Sequence, residues 1–481
     1  MKTLISYIFV LVSLLFSIGC DSNFEEINSN PNDPTTVSIN LLLAGTLRST
    51  TEVLQSPFNA AEGGSCWVQH LGKTVFNDNE LYIPRLSSLE NTWFYLYAEV
   101  AKEADLMQNL AELEGNNNLQ GVALVIKANA FHILTDTYGD VPFTEALKAE
   151  EGLTQPIYDD SETVIYPGIL NMLDEAIALL DGNGEIDASQ DLLYGGDYTL
   201  WKKYASSLKF KVLMRAASGG YDASTELQEL IIAGNLFSSN NDEAKLVFLE
   251  SEPNANPFYE ELEVGNQKTH WVLGEELVNY MTDTNDPRLP IYGDKVGGND
   301  TDNGYVGKPA GIRNVSETIY GDHNNLSLIG ELYREPTQPC YFMTYSHLCL
   351  LMAEAVEKGY ISGNAEDLFH KGIEASVENN GVTGLPDINY ANATNKILEI
   401  QKQIWVSTFM QGFEAWAEWR RTGVPVLPIA VNAIDAVDGK IPKRYKYPPN
   451  QQSLNNTNYT NAVSKLSNGD SLISTLWWQN Q

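Results

Sequence analysis

Cysteine is scarce, with four residues in 481. Cys66, Cys340 and Cys349 cannot all pair with one another, and no C-x-x-C spacing occurs, so neither a disulfide framework nor a zinc or dithiol centre underlies the fold. A Cys340 to Cys349 bridge is left open by the sequence. Basic residues are also few. Lys and Arg number 30 against 63 Asp and Glu, a formal net charge of −33. Most of such a surface repels a polyanion, which argues against nucleic acid as a partner. Long apolar runs are missing too: the one from Leu4 to Ile18 falls short of the roughly 20 residues needed to span a bilayer.

Catalytic signatures are absent. The chain has no G-x-S-x-G, phosphate loop, dinucleotide fingerprint or H-E-x-x-H, and its His residues at 70, 132, 270, 323, 347 and 370 show no ligand spacing. Two acidic loops fail the calcium test. In 181–187, Ile186 takes the position that needs Gly and Leu192 the one that needs Glu, while 299–304 puts Asn and Thr where carboxylates belong. Both read as solvated loops. The two acids of a glycosidase are close in space and not in sequence, so with 63 acidic residues a pair can always be imagined, but no single acid here stands in a sequence context that would tune it. The chain is therefore expected to be no enzyme, with no catalytic residue, no metal and no cofactor.

What is present begins with Lys2, the apolar run, and Ser17-Ile18-Gly19-Cys20. A positive end, a short apolar stretch and a small residue before Cys describe a signal peptide over 1–19, with Cys20 as the lipidated new N-terminus. An ordinary secretory signal is the alternative. Residues 20–37 are polar and broken by Pro31 and Pro34, which suits a flexible tether. The remainder, 38–481, is expected to be one large domain, since nothing within it resembles a linker.

Apolar residues recur at helical steps in 91–113 (Trp93, Leu96, Val100, Ala104, Met107, Ala111), with Asn91-Thr92 available as a cap. Residues 122–134 are apolar around most of the circumference, which indicates a buried helix, and 161–180 and 198–216 repeat the amphipathic pattern. Further helices are expected near 345–359, 364–379 and 394–420. The fold class is mainly α: successive hairpins in a tetratricopeptide-like scaffold over 38–234 and 341–425. Between 235 and 340 the chain turns to Gly, Asn, Asp, Pro and Tyr, so a loop-rich elaboration packed on one side is expected there.

Four segments carry a family resemblance. They are Phe24-Glu25-Glu26-Ile27-Asn28-Ser29-Asn30-Pro31-Asn32-Asp33-Pro34-Thr35 after Cys20, Asp136-Thr137-Tyr138-Gly139-Asp140-Val141-Pro142-Phe143 after the buried helix, Asn285-Asp286-Pro287-Arg288-Leu289, and 411–423 from Gln411-Gly412-Phe413 to Thr422-Gly423. In this order they resemble SusD/RagB outer-membrane lipoproteins, in the branch without a conventional sugar-binding label. The resemblance implies a lipid-anchored protein on the outer face of the outer membrane. There it would form a lid on a SusC-like TonB-dependent transporter and capture nutrient for import. Glycan or oligosaccharide is the expected cargo, peptide the alternative, and a transporter scaffold with no ligand of its own the runner-up.

A neutral sugar presents apolar ring faces and hydroxyl edges, so its site needs exposed aromatic platforms beside polar side chains. Aromatics in loop-rich context meet that description: Trp67, Tyr82 with Asn79 and Arg85, then Trp271, Tyr292 and Tyr305. Trp93, Trp201 and Trp405 lie in periodic helices and read as core.

Overall fold

The computed structural model describes residues 39–434 and 437–479. The signal peptide, Cys20 and the tether lie outside the described residues. Among the described residues the chain is mainly α, built from helices paired in succession with four short strands between them.

The first described helix, α1, spans Ile39–Leu54, and a wider π-helical turn, Pro57–Ser65, follows. Helix α2 (Leu86–Phe94) runs without a break through a π-helical stretch, Tyr95–Ala101, into α3 (Lys102–Glu114). The start differs from the expected cap at Asn91-Thr92. Pro84 precedes an extended Arg85, so the helix begins a turn and a half earlier and Thr92 is buried inside it. Gly115 closes α3 in the left-handed region (φ 68°), which glycine adopts without a Cβ clash. Asn116 then caps α4 (Asn117–Tyr138) by accepting from the Leu119 N–H at 2.9 Å. That two-residue connection folds α3 against α4. Helices α5 (Tyr166–Leu179), α6 (Tyr198–Ser218, capped by Asp197) and α7 (Ser224–Ala233) extend the stack, each packed on the one before.

The region 235–340 is irregular, as its composition suggests. It holds β2 (Ala244–Leu246), β3 (Trp271–Leu273), a short helix α8 (Glu275–Asp283) and single 3-10 turns. Beyond β4 (Cys340–Met343) come α9 (Tyr345–Glu357), α10 (Ala365–Asn379), α11 (Lys396–Ser407) and α12 (Gly412–Thr422). The pattern over 394–420 thus resolves into two helices. The break falls at Met410, in the left-handed region (φ 64°), just before Gly412. A Cβ on Gly412 would lie 2.2 Å from the Ala60 carbonyl oxygen, and one on Gly64 2.1 Å from that of Gly412, so α12 sits directly against the Pro57–Ser65 turn. Strand β4 pairs antiparallel with β2, and β1 (Leu71–Lys73) with β3, in the register Leu71 to Leu273 and Lys73 to Trp271.

Of the segments that carried the resemblance, 24–35 lies outside the described residues, and the other three hold buried ion pairs. Asp136, in the last turn of α4, accepts from Tyr166 and Arg215. Arg215 also binds Glu414 at 2.6 Å and Glu418 at 2.9 Å on α12. Arg421 joins Glu418 to Glu354 of α9, each at 2.6 Å. Arg288 pairs with Asp286 at 2.6 Å and reaches Gln403 of α11 at 2.8 Å, tying the irregular region to the last helices. Cys66, Cys340 and Cys349 are buried free thiols, which closes the question of a 340 to 349 bridge.

Candidate ligand-binding site

The β1 to β3 pair launches the loop that matters most. Leaving β1, Thr74 donates its N–H to the His270 carbonyl at 3.0 Å and its hydroxyl to the Thr269 carbonyl at 2.9 Å. Phe76 follows, 74% exposed, with φ 51° and its ring edge-on to His270 at 5.8 Å. A bulky residue in the left-handed region is strained, and such a conformation persists only where its surroundings impose it.

The surroundings do impose it. Asn77 donates to the Ile312 carbonyl at 2.7 Å, and the 3-10 turn Asp78–Leu81 is pinned from below by Trp67, whose indole N–H donates to the Asn79 carbonyl at 2.8 Å. Asn79 donates to the Glu62 carbonyl at 2.5 Å. Two buried carboxylates complete the brace. Glu80 accepts from the Lys73 backbone N–H, from Lys308 at 2.5 Å and from the Gly311 N–H at 3.0 Å. Glu62 accepts from Lys73 at 2.5 Å and from both Nε and Nη2 of Arg85 at 3.0 and 2.9 Å. Each charge is paired and hydrogen-bonded, the condition under which burial is tolerated. The result is an open cleft of about 240 Å³ lined by Glu62, Phe76, Asp78, Asn79, Ile83 and Arg85.

The seven residues expected to bind ligand divide accordingly. Asn79 and Arg85 line the cleft, and the Arg85 side chain is 44% exposed. The aromatic platforms are not where they were expected. Trp67, Tyr82, Trp271 and Tyr292 are each no more than 2% exposed, so none offers a ring face for stacking. Trp67 packs edge-on to Trp416 at 4.9 Å, Trp271 lies beneath the Lys73 ammonium at 4.8 Å, and Tyr292 stacks on Phe409 at 4.1 Å. The Tyr82 hydroxyl accepts from the Ala430 N–H at 2.9 Å. Tyr305 is half-buried and does not line the cleft. Loop context misled because these loops are packed against the scaffold. The exposed aromatic, Phe76, was overlooked, although its place in Phe76-Asn77-Asp78-Asn79, a polar run unable to bury it, was the available signal.

A second cluster has the donor types of a metal site: His347, Glu414 and Glu418 place one ligand atom each within 4.8 Å of one another. The carboxylates are already engaged. Arg215 bridges Glu414 and Glu418, Lys211 holds the other Glu414 oxygen at 2.8 Å, and Arg421 the other Glu418 oxygen at 2.6 Å. Burial would raise both carboxyls, but Lys211 and Arg215 hold Glu414, and Arg421 and Arg215 hold Glu418, well below the ordinary range. The donor set is that of a buried ion-pair network and does not fit a cation.

A helical-hairpin scaffold thus carries an open cleft beside a loop that the buried Glu62 and Glu80 pairs brace. The family model described as "Starch-binding associating with outer membrane" matches residues 31–448, and the chain belongs to this SusD-like family. Among solved structures, a chitin-binding protein superposes with a TM-score of 0.80 at 24% identity, covering 92% of this chain and 100% of its own. A chitin-binding SusD homologue from Flavobacterium johnsoniae gives 0.78 at 23%, covering 91% and 98%. A SusD homologue from Bacteroides uniformis gives 0.80 at 22%, covering 92% and 99%. These likenesses establish the fold. Among curated proteins, none matches the chain in sequence. No helix among the described residues is long and apolar enough to cross a membrane.

Proposed function

We propose that this protein is a cell-surface lipoprotein, anchored through Cys20, that captures a glycan at the cleft bounded by Phe76, Asn79 and Arg85 and hands it to a TonB-dependent outer-membrane transporter. The observation that carries the reading is Phe76: a strained, exposed ring held beside a cleft by a fully paired brace. A sugar ring stacks its C–H face on that ring, while its hydroxyls donate to Asp78 and accept from Arg85. Family membership and the two chitin-binding relatives of the same fold support glycan as the class, with chitin oligosaccharide as the first probe.

Titration calorimetry with chitin and starch oligosaccharides tests this. Phe76→Ala is expected to weaken binding about tenfold, about 1.4 kcal/mol, and to leave the unfolding temperature unchanged because the ring is exposed. Binding that survives both Phe76→Ala and Arg85→Ala would place the site elsewhere, and binding of peptides alone would change the cargo class.

A further inference from the structure

A second cleft, of about 340 Å³, opens on the helical stack where the start of α5, the end of α6 and the C-terminal segment meet. Its wall is Trp477, set edge-on to Tyr166 at 5.0 Å. That position depends on Gly219, where a Cβ would lie 2.2 Å from the indole ring. The neighbouring Trp478 is fully buried, with the guanidinium carbons of Arg215 and Arg420 each 5.0 Å from its ring. The indole of Trp477 is thereby fixed on a rigid base. Leu170 adds apolar floor, and Tyr221, 41% exposed, stands at the mouth.

Two exposed carboxylates, Glu162 and Asp222, also line the cleft. Among the described residues neither forms a salt bridge, and Asp222 accepts only a long contact, 3.4 Å, from the Ser224 N–H. Cations on the flanking elements pair elsewhere: Lys209 is shared by Asp174 at 2.7 Å and Glu226 at 3.0 Å, and Lys465 lies 3.3 Å from Asp140 and 4.0 Å from Asp160. The Tyr221 hydroxyl, donating to Glu226 at 2.6 Å, is pushed up to about 12 by that hydrogen bond, with burial and the Glu226, Asp174 and Asp222 charges adding to it. The mouth thus carries two carboxylates that no cation pairs with among the described residues.

Carboxylates only accept hydrogen bonds, so the complementary ligand must donate and carry positive charge. It must also offer a flat or extended apolar body to the indole. A guanidinium on its methylene stem satisfies both, stacking on an aromatic wall while its N–H groups reach carboxylates. We propose that this cleft, separate from the glycan site and independent of that reading, is a docking pocket for an arginine side chain presented by a partner polypeptide. The Trp477 wall takes the stem and the guanidinium plane, and Glu162 and Asp222 take the charge.

The test is calorimetric titration of the full-length protein with the peptide acetyl-Gly-Arg-Gly-amide, beside the same peptide with neutral citrulline in place of arginine. Binding of the arginine peptide is expected to weaken about tenfold or more with citrulline, with rising salt, and in a Glu162→Gln/Asp222→Asn double variant, whose two exposed sites leave folding intact. The Phe76→Ala variant should bind the peptide like wild type. Failure of the arginine peptide to bind, equal binding of the citrulline peptide, or undiminished binding by the double variant would overturn the proposal, as would stronger binding of glucosamine than of the peptide.

Discussion

Arg215 shows what one residue does in this protein. It is fully buried and joins α6 to α4 through Asp136 and to α12 through Glu414 and Glu418. Its pKa rises because those three acids outweigh the burial that would lower it. Replacing it with Met keeps the volume and leaves three acids short of a partner. Arg215→Met is expected to lose about 3–5 kcal/mol in chemical denaturation, the cost of breaking a buried pair from one side. His70 acts through its neutral form. Burial between Trp405 and Phe409 lowers its imidazole from 6.5 to about 3. The folded state then binds fewer protons than the unfolded chain between those values, so the contribution of His70 is full above 6.5 and lost as pH falls toward 3. His70→Phe should show a smaller drop in unfolding temperature than wild type between about pH 7 and about pH 4.5, and an equal drop would refute the assignment. Neither role was visible in the sequence, because burial is set by packing and these neighbours lie far apart in the chain.

At the scale of elements, the helices were legible, and of the candidate cleft only two lining residues were named from the sequence. The 3.6-residue period in 161–180 and 198–216 placed α5 and α6 because it follows from the helix itself. The split between α11 and α12 was not visible, since Gly412 breaks the pattern only to approach Ala60, a residue over three hundred positions away. Of the residues named from loop context, Asn79 and Arg85 line the cleft beside the loop after β1, while the exposed aromatic there, Phe76, was not among them. What holds this loop is the Glu80 to Lys308 pair, 2% and 0% exposed. Glu80→Gln would leave the Lys308 ammonium buried without its counter-charge. The expected result is faster amide hydrogen exchange confined to residues 74–85, together with weaker glycan binding, while helices α4 and α6 keep their protection. Exchange that rises uniformly over the chain would instead make the pair a global support.

For the molecule as a whole, the anchor is the open test. Cys20→Ala is expected to release folded protein from the membrane fraction, and retention at the wild-type level would refute lipid attachment there. Composition narrowed the partners before any geometry was known: an excess of acid over base disfavours a polyanion at any conformation. The leader pattern, the helical periodicity and the four family motifs were likewise fixed locally, because each depends on residues adjacent in sequence or on a repeat intrinsic to the helix. Tertiary structure decided the rest. It turned Asp136, Arg215, Glu354, Glu414, Glu418 and Arg421 into one network, buried the expected platforms Trp67, Tyr82, Trp271 and Tyr292, and left Phe76 in solvent. Exposure and charge pairing are properties of which distant segments come to lie together, and no local pattern encodes them.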